Sequence, residues 1–123
     1  MSFDAPPRRH FRDILDAIEL IEQFTTGMGF EEFRADPKSV AAVERKLLII
    51  SEAAIRLGDD ARRLCPGLPW RDIRGIGNQL RHAYERIDLS TIWNTVTDEL
   101  PRLKAAIGDA LERLNENGER SEK

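Results

Sequence analysis

Arg74, Asn78, Arg81 and His82 stand close together in the chain, and they are of the types that hold phosphate and move protons. An imidazole titrates near neutrality, so His82 can take a proton from a hydroxyl at neutral pH. A guanidinium is a planar fork of donors suited to phosphate oxygens. Asn78, four residues before His82, can orient a substrate or the imidazole, and Glu85 follows three residues after it. On a helix, positions three and four apart share a face, so these groups can converge. They are the parts needed for metal-free RNA cleavage. A base deprotonates a ribose 2′-OH, the oxygen attacks the adjacent phosphate, and cations stabilise the charge that develops. A solvated arginine-rich face paired with glutamates has the same residues, and the types alone leave both readings open.

The stretch that carries them is Pro69-Trp70-Arg71-Asp72-Ile73-Arg74-Gly75-Ile76-Gly77-Asn78-Gln79-Leu80-Arg81-His82-Ala83-Tyr84-Glu85-Arg86-Ile87. At about 100° per residue, Ile73, Ile76, Leu80, Ala83 and Ile87 share one face. Arg71, Arg74, Asn78, Arg81, His82 and Glu85 fall on the other, with Gly77 and Tyr84 on the border. The polar side of a surface helix usually carries solubilising Lys and Glu, yet this stretch has no Lys.

The elements that must position this strip are helical. Phe11, Ile14, Leu15, Ile18, Ile21 and Phe24 repeat at helical spacing and predict a first helix from Arg9 to Met28, ended by Gly27 and Gly29. A connector from Gly29 to Lys38 holds Phe30 and Phe33, which can pack onto the core. A second helix starts at Ser39, or at Asp36 with Pro37 in its first position, and runs to Leu57. Its stripe of Val40, Val43, Leu47, Ile50, Ala54 and Leu57 is widened by Leu48, Ile49 and Ile55, as in a central or interface helix. Glu52 sits in this apolar run. It is either half-exposed or ion-paired with an arginine of the third helix.

Gly58-Asp59-Asp60 breaks the second helix, Ala61 to Leu64 adds a turn, and Cys65 to Pro69 connects to the third helix, which ends near Ile87. Asp88 or Ser90 caps a fourth, whose apolar stripe runs from Leu89 to Leu114 and which Pro101 should kink or split. Period-two alternation is absent. The expected fold is all-α, an antiparallel four- to five-helix bundle over residues 9–114, with disordered ends at 1–8 and 115–123.

One domain of 123 residues is long enough for a single core. No apolar run is long enough to cross a membrane. The first residues lack the apolar centre of a signal peptide, and the lone Cys65 suits a reducing compartment, so a cytoplasmic protein is expected. Two His and one Cys argue against a structural zinc site, and neither metal nor cofactor is expected. The net charge of -3 argues against broad non-specific nucleic-acid binding, although a local positive patch suffices for a nucleic-acid enzyme.

Gly77-Asn78-Gln79-Leu80-Arg81-His82-Ala83-Tyr84, preceded by Trp70-Arg71-Asp72-Ile73 and followed by Ile87-Asp88, resembles the signature of HEPN-domain proteins of the HepT type. Val43 to Ala54 and Ile92 to Pro101 resemble two further segments of that family, so the likeness covers roughly residues 9 to 114. It implies a HEPN-like helical bundle and a ribonuclease toxin that forms a homodimer, with the motif helices of two subunits lining an RNA cleft. It also implies a cognate minimal nucleotidyltransferase antitoxin, which transfers AMP to the tyrosine of the His-x-Tyr motif, here Tyr84. The added charge would block the phosphate site. The family's Arg directly before the Asn is Gly77 in this chain. Two readings follow. In the first, Arg81 or Arg74 replaces that cation beside His82 and Asn78, with Glu52 and Glu85 in support. In the second, the chain is a catalytically degenerate module that binds a nucleotidyltransferase or a nucleotide. Gly75 and Gly77 together suggest a close helix approach, possible across a dimer axis.

Overall fold

The computed structural model describes the backbone of residues 6–82 and 88–121 and the side chains of residues 6–80 and 88–115. The fold is an all-α bundle with no strand among the described residues. Four longer helices carry it: α1 (Pro7–Phe24), α3 (Pro37–Leu57), α5 (Trp70–His82) and α7 (Leu100–Ser121). Three short ones join them: α2 (Phe30–Arg34), α4 (Asp59–Leu64) and α6 (Leu89–Asn94). Helix is assigned from Pro7 and through Ser121, so it extends past both expected limits of the 9–114 domain.

Local chemistry sets the boundaries. α1 stops at Phe24, short of the expected Met28. Thr25 Oγ1 donates to Ile21 O at 2.9 Å and Thr26 Oγ1 to Glu22 O at 2.8 Å, so these hydroxyls take up the last carbonyls. Gly27, at φ 76°, then turns the chain. The expected connector contains α2, whose Phe33 is buried with its ring 4.9 Å from that of Trp93. α3 starts as anticipated. Pro37 takes an early position, and the Asp36 carboxylate accepts from the Lys38 and Ser39 amides at 3.2 and 3.4 Å. Gly58, at φ 55°, ends α3 and allows α4 to begin at once.

The interruption expected at Pro101 takes the form of a π-helical segment, Thr95–Glu99, between α6 and α7. Proline lacks an N–H and its ring presses on the carbonyl four residues back, here that of Thr97. Widening the turn relieves this crowding. The hydroxyls of Thr95 and Thr97 also bond back to Thr91 O and Trp93 O, at 3.1 and 3.0 Å.

A single core joins the four long helices. Phe11, Ile14, Ile18 and Ile21 of α1 meet Val43, Leu47, Ile50 and Ala54 of α3, with Leu103 and Ile107 of α7 closing the layer. Trp70 anchors the start of α5. It is 2% exposed, its ring centroid lies 6.3 Å from that of Phe11, and its Nε1 donates to Cys65 O at 2.8 Å. Burying an indole with its N–H satisfied contributes on the order of 2–3 kcal/mol, which fixes where α5 begins.

The Asp36 cap makes a pH prediction. The Ser39 hydroxyl bond, then the Ser39 amide, hold its carboxyl below the ordinary value. Protons therefore bind the unfolded chain more readily. The cap contributes at neutral pH, above the unfolded value, and its contribution fades as pH falls through the depressed folded one. Asp36→Ala should melt lower than wild type at neutral pH, and thermal scans in acid should show the two converge.

Candidate functional site

The two sides of α5 divide as its sequence pattern suggests. Trp70, Ile73 and Gly77 are buried and Ile76 and Leu80 half-buried, whereas Arg71 and Asn78 are exposed and Arg74 is half-exposed. Continuous helix through His82 puts positions 74, 78 and 82 in one row, a turn apart. Position 71 continues that row toward the N-terminus, and position 81 lies beside it. The structure thus brings Arg74 and Asn78 together on one face and carries the backbone of Arg81 and His82 onto it. Tyr84 and Glu85 lie outside the described residues.

What holds this face in place is a buried serine. Ser51 of α3 is 1% exposed, and its Oγ donates to Arg74 O at 2.7 Å and accepts from Gly77 N at 3.1 Å. One hydroxyl thus satisfies both its donor and acceptor capacity within the backbone of α5. The approach is close at Gly77. A Cβ there would stand 3.0 Å from Leu48 Cδ1 and 3.2 Å from Ser51 Oγ. Gly77 is therefore at the helix contact rather than on the border between faces, and the contact is with α3 of the same chain. Gly75 makes no such approach, since a Cβ there meets nothing within 4 Å.

Glu52, next to Ser51, turns another way. It is exposed and lines a cavity of about 140 Å³ with His10, Asp13 and Arg56, on the α1 side of α3. Among the described residues it pairs with neither Arg71 nor Arg74; the side chains of Arg81 and Arg86 lie outside the described residues. No group of three or more His, Cys, Asp or Glu able to hold a metal ion occurs among the described residues. None of the described helices is long and apolar enough to cross a membrane.

Residues 14–110 match the family model described as Ribonuclease HepT-like. The chain belongs to the HepT-like ribonuclease family. "Probable ribonuclease HepT" of Thermococcus cleftensis is 43% identical to it over 95 residues, 77% of this chain and 86% of that protein. A provisionally named RNase of Caldanaerobacter subterraneus subsp. tengcongensis is 32% identical over 107 residues, 87% of this chain and 96% of its own. Another, from Methanocaldococcus jannaschii, is 33% identical over 104 residues, 85% and 90% of the two chains. No solved structure matches significantly.

The HepT-like match makes Ser51 informative. It was visible in the sequence as a small polar residue in an apolar helix, but nothing local linked it to a glycine 26 residues later. In this HepT-like chain the position before Asn78 packs against α3, and a side chain there would press on Leu48 and Ser51.

Three substitutions test this packing by denaturant unfolding. Gly75→Ala should raise stability by about 0.5–1 kcal/mol, since it improves helix propensity without a clash. Gly77→Ala should lower it by roughly 1–3 kcal/mol despite the same gain in propensity, because Ser51 cannot shift without losing a bond. Ser51→Ala should cost about 1–2 kcal/mol for the two lost hydrogen bonds.

Proposed function

We propose that this HepT-like protein is an endoribonuclease that cuts RNA by 2′-OH attack without a metal, and that it is the toxin of a toxin–antitoxin pair. The observation that carries this reading is the solvent-facing row of Arg74 and Asn78 leading to position 82 on a helix inside a ribonuclease-family domain. Relatives named as ribonucleases across most of their length support it. In this mechanism His82 takes the 2′-OH proton, and the 2′-oxygen forms a bond to phosphorus as the 5′-oxygen leaves. The products are a 2′,3′-cyclic phosphate and a 5′-hydroxyl, which receives a proton from an acid such as the imidazolium. Arg81 or Arg74 neutralises the phosphorane charge, and Asn78 orients the base or the substrate.

The protein acts as a cytoplasmic homodimer in this reading, with the α5 strips of two copies lining the RNA cleft. A cognate minimal nucleotidyltransferase silences it by transferring AMP to Tyr84. The adduct puts a phosphodiester charge beside the cations that would otherwise hold RNA. Glu85, three residues after His82 in the sequence, is a supporting group, whereas Glu52, which the sequence also offered for that role, faces α1 instead. The second reading is a degenerate module that binds a nucleotidyltransferase or nucleotide, and it rests on Gly77. The tight packing around Gly77 favours the first reading, because it gives the glycine a structural reason that does not require loss of activity.

Two measurements decide between them. Purified protein incubated with RNA in EDTA should yield 2′,3′-cyclic phosphate ends, and His82→Ala should lower the rate by about 10²-fold or more. Equal, negligible cleavage by both proteins would favour the binding module. Gly77→Arg should destabilise the fold and bring no gain in cleavage, whereas a gain would identify decay. Intact mass after mixing with the nucleotidyltransferase and ATP should show one AMP adduct on wild type and none on Tyr84→Phe.

A further inference from the structure

The first turns of α1 carry Arg8, Arg9 and Arg12, all exposed. They open onto a cavity of about 340 Å³ completed by Pro6, Leu111 and Asn115, with no carboxylate lining it among the described residues. At spacings of three and four residues, Arg12 shares a helix face with Arg8 and Arg9. Like charges so placed destabilise a helix. They also stand at its positive end, where acidic residues are usual, and the first turn of α1 holds none. The sequence thus breaks two local rules at one place, with no compensating ion pair to these arginines among the described residues. Arg8 Nη1 makes one long bond, 3.4 Å, to Asn115 Oδ1, which orients the guanidinium and uses one of its five donors.

Such frustration is expected where a ligand relieves it. In a chain of net charge -3, three guanidiniums around one concavity create a local field opposite to the overall one. The patch lies at the end of the bundle where α5 begins, since Phe11, between Arg9 and Arg12, has its ring 6.3 Å from that of Trp70. From Trp70 to His82 is about 18 Å along α5, at ~1.5 Å per residue.

We propose that Arg8, Arg9 and Arg12 form a second phosphate-binding site that anchors the backbone of single-stranded RNA remote from the scissile bond. This rests on the ribonuclease reading. It adds that long RNA is held at two places and a dinucleotide at only one. Arginine forks contact successive phosphate oxygens without reading bases, so the site raises affinity and not sequence preference.

The test uses fluorescence anisotropy of labelled oligouridylate on full-length dimer carrying His82→Ala, with and without R8Q/R9Q/R12Q. Glutamine keeps helix propensity and removes the charge. The triple substitution should weaken binding on the order of tenfold and flatten the slope of log K against log salt by about 2, at ~0.7 per lost contact on a single strand. In the otherwise wild-type enzyme it should raise KM for long RNA and leave kcat and dinucleotide cleavage unchanged. Its melting temperature should equal or exceed that of wild type. Unchanged affinity and salt slope would overturn the anchor and leave the ribonuclease reading standing. A fall in melting temperature would overturn it too, by making the arginines structural. Absence of RNA binding by the His82→Ala protein itself would overturn both. Inorganic phosphate at matched ionic strength should compete only weakly. Full displacement at low phosphate would mean a small-anion site instead.

Discussion

A serine hydroxyl set between two turns of α5 fixes how that helix lies on α3. Ser51 Oγ reaches the Arg74 carbonyl and the Gly77 amide at once, and the lack of a side chain at position 77 leaves room for it. The contact is polar, buried and satisfied in both directions, a combination that specifies register as apolar packing alone does not. Both backbone partners lie within one turn of Asn78, and the helix runs on unbroken to His82. The rotation of α5 about its axis, and with it the outward placing of Arg74 and Asn78, follows from this one bridge together with the Trp70 anchor.

The bridge changes the meaning of Gly77. Compared with a motif that places arginine before asparagine, the glycine looks like a missing catalytic part. Against Leu48 and Ser51, it is what allows two helices to approach closely. A side chain at this position would press on both of them. The outward face of α5 carries Arg71 and Arg74 among its described residues, and these are the cations the proposed mechanism can draw on there. Glu52, one residue from Ser51, points toward α1 instead, which shows how sharply a helix separates neighbouring roles.

Charge is distributed by the same logic. A chain of net charge -3 can act on RNA only if its cations are concentrated where the polymer lies. Arginines stand on the outer face of α5 and in the first turns of α1, the two places proposed above for RNA. The pairs elsewhere, such as Arg34 with Glu31 within α2 and Lys104 with Glu22 between α7 and α1, are exposed and contribute little to stability.

Much of this was legible in the chain itself. The apolar spacing in α1, α3 and α7 determined the all-α bundle, because a stripe repeating every three to four residues can be buried only by helix packing. The sequence narrowed two helix starts to Asp36 or Ser39 and to Asp88 or Ser90, since a cap acts within three residues, and the structure has Asp36 and Asp88. The row of Arg74, Asn78 and His82 was likewise readable, being a property of one helix. The tertiary structure decided what depends on distant residues meeting: that the crowding before Pro101 is relieved as a π-helical turn, that Phe33 reaches Trp93, and that Glu52 looks toward α1. It also decided that Gly77 is spoken for by Ser51. Local spacing carries no information about which helix will press on which glycine; only the packed bundle, with α3 lying on α5, supplies it.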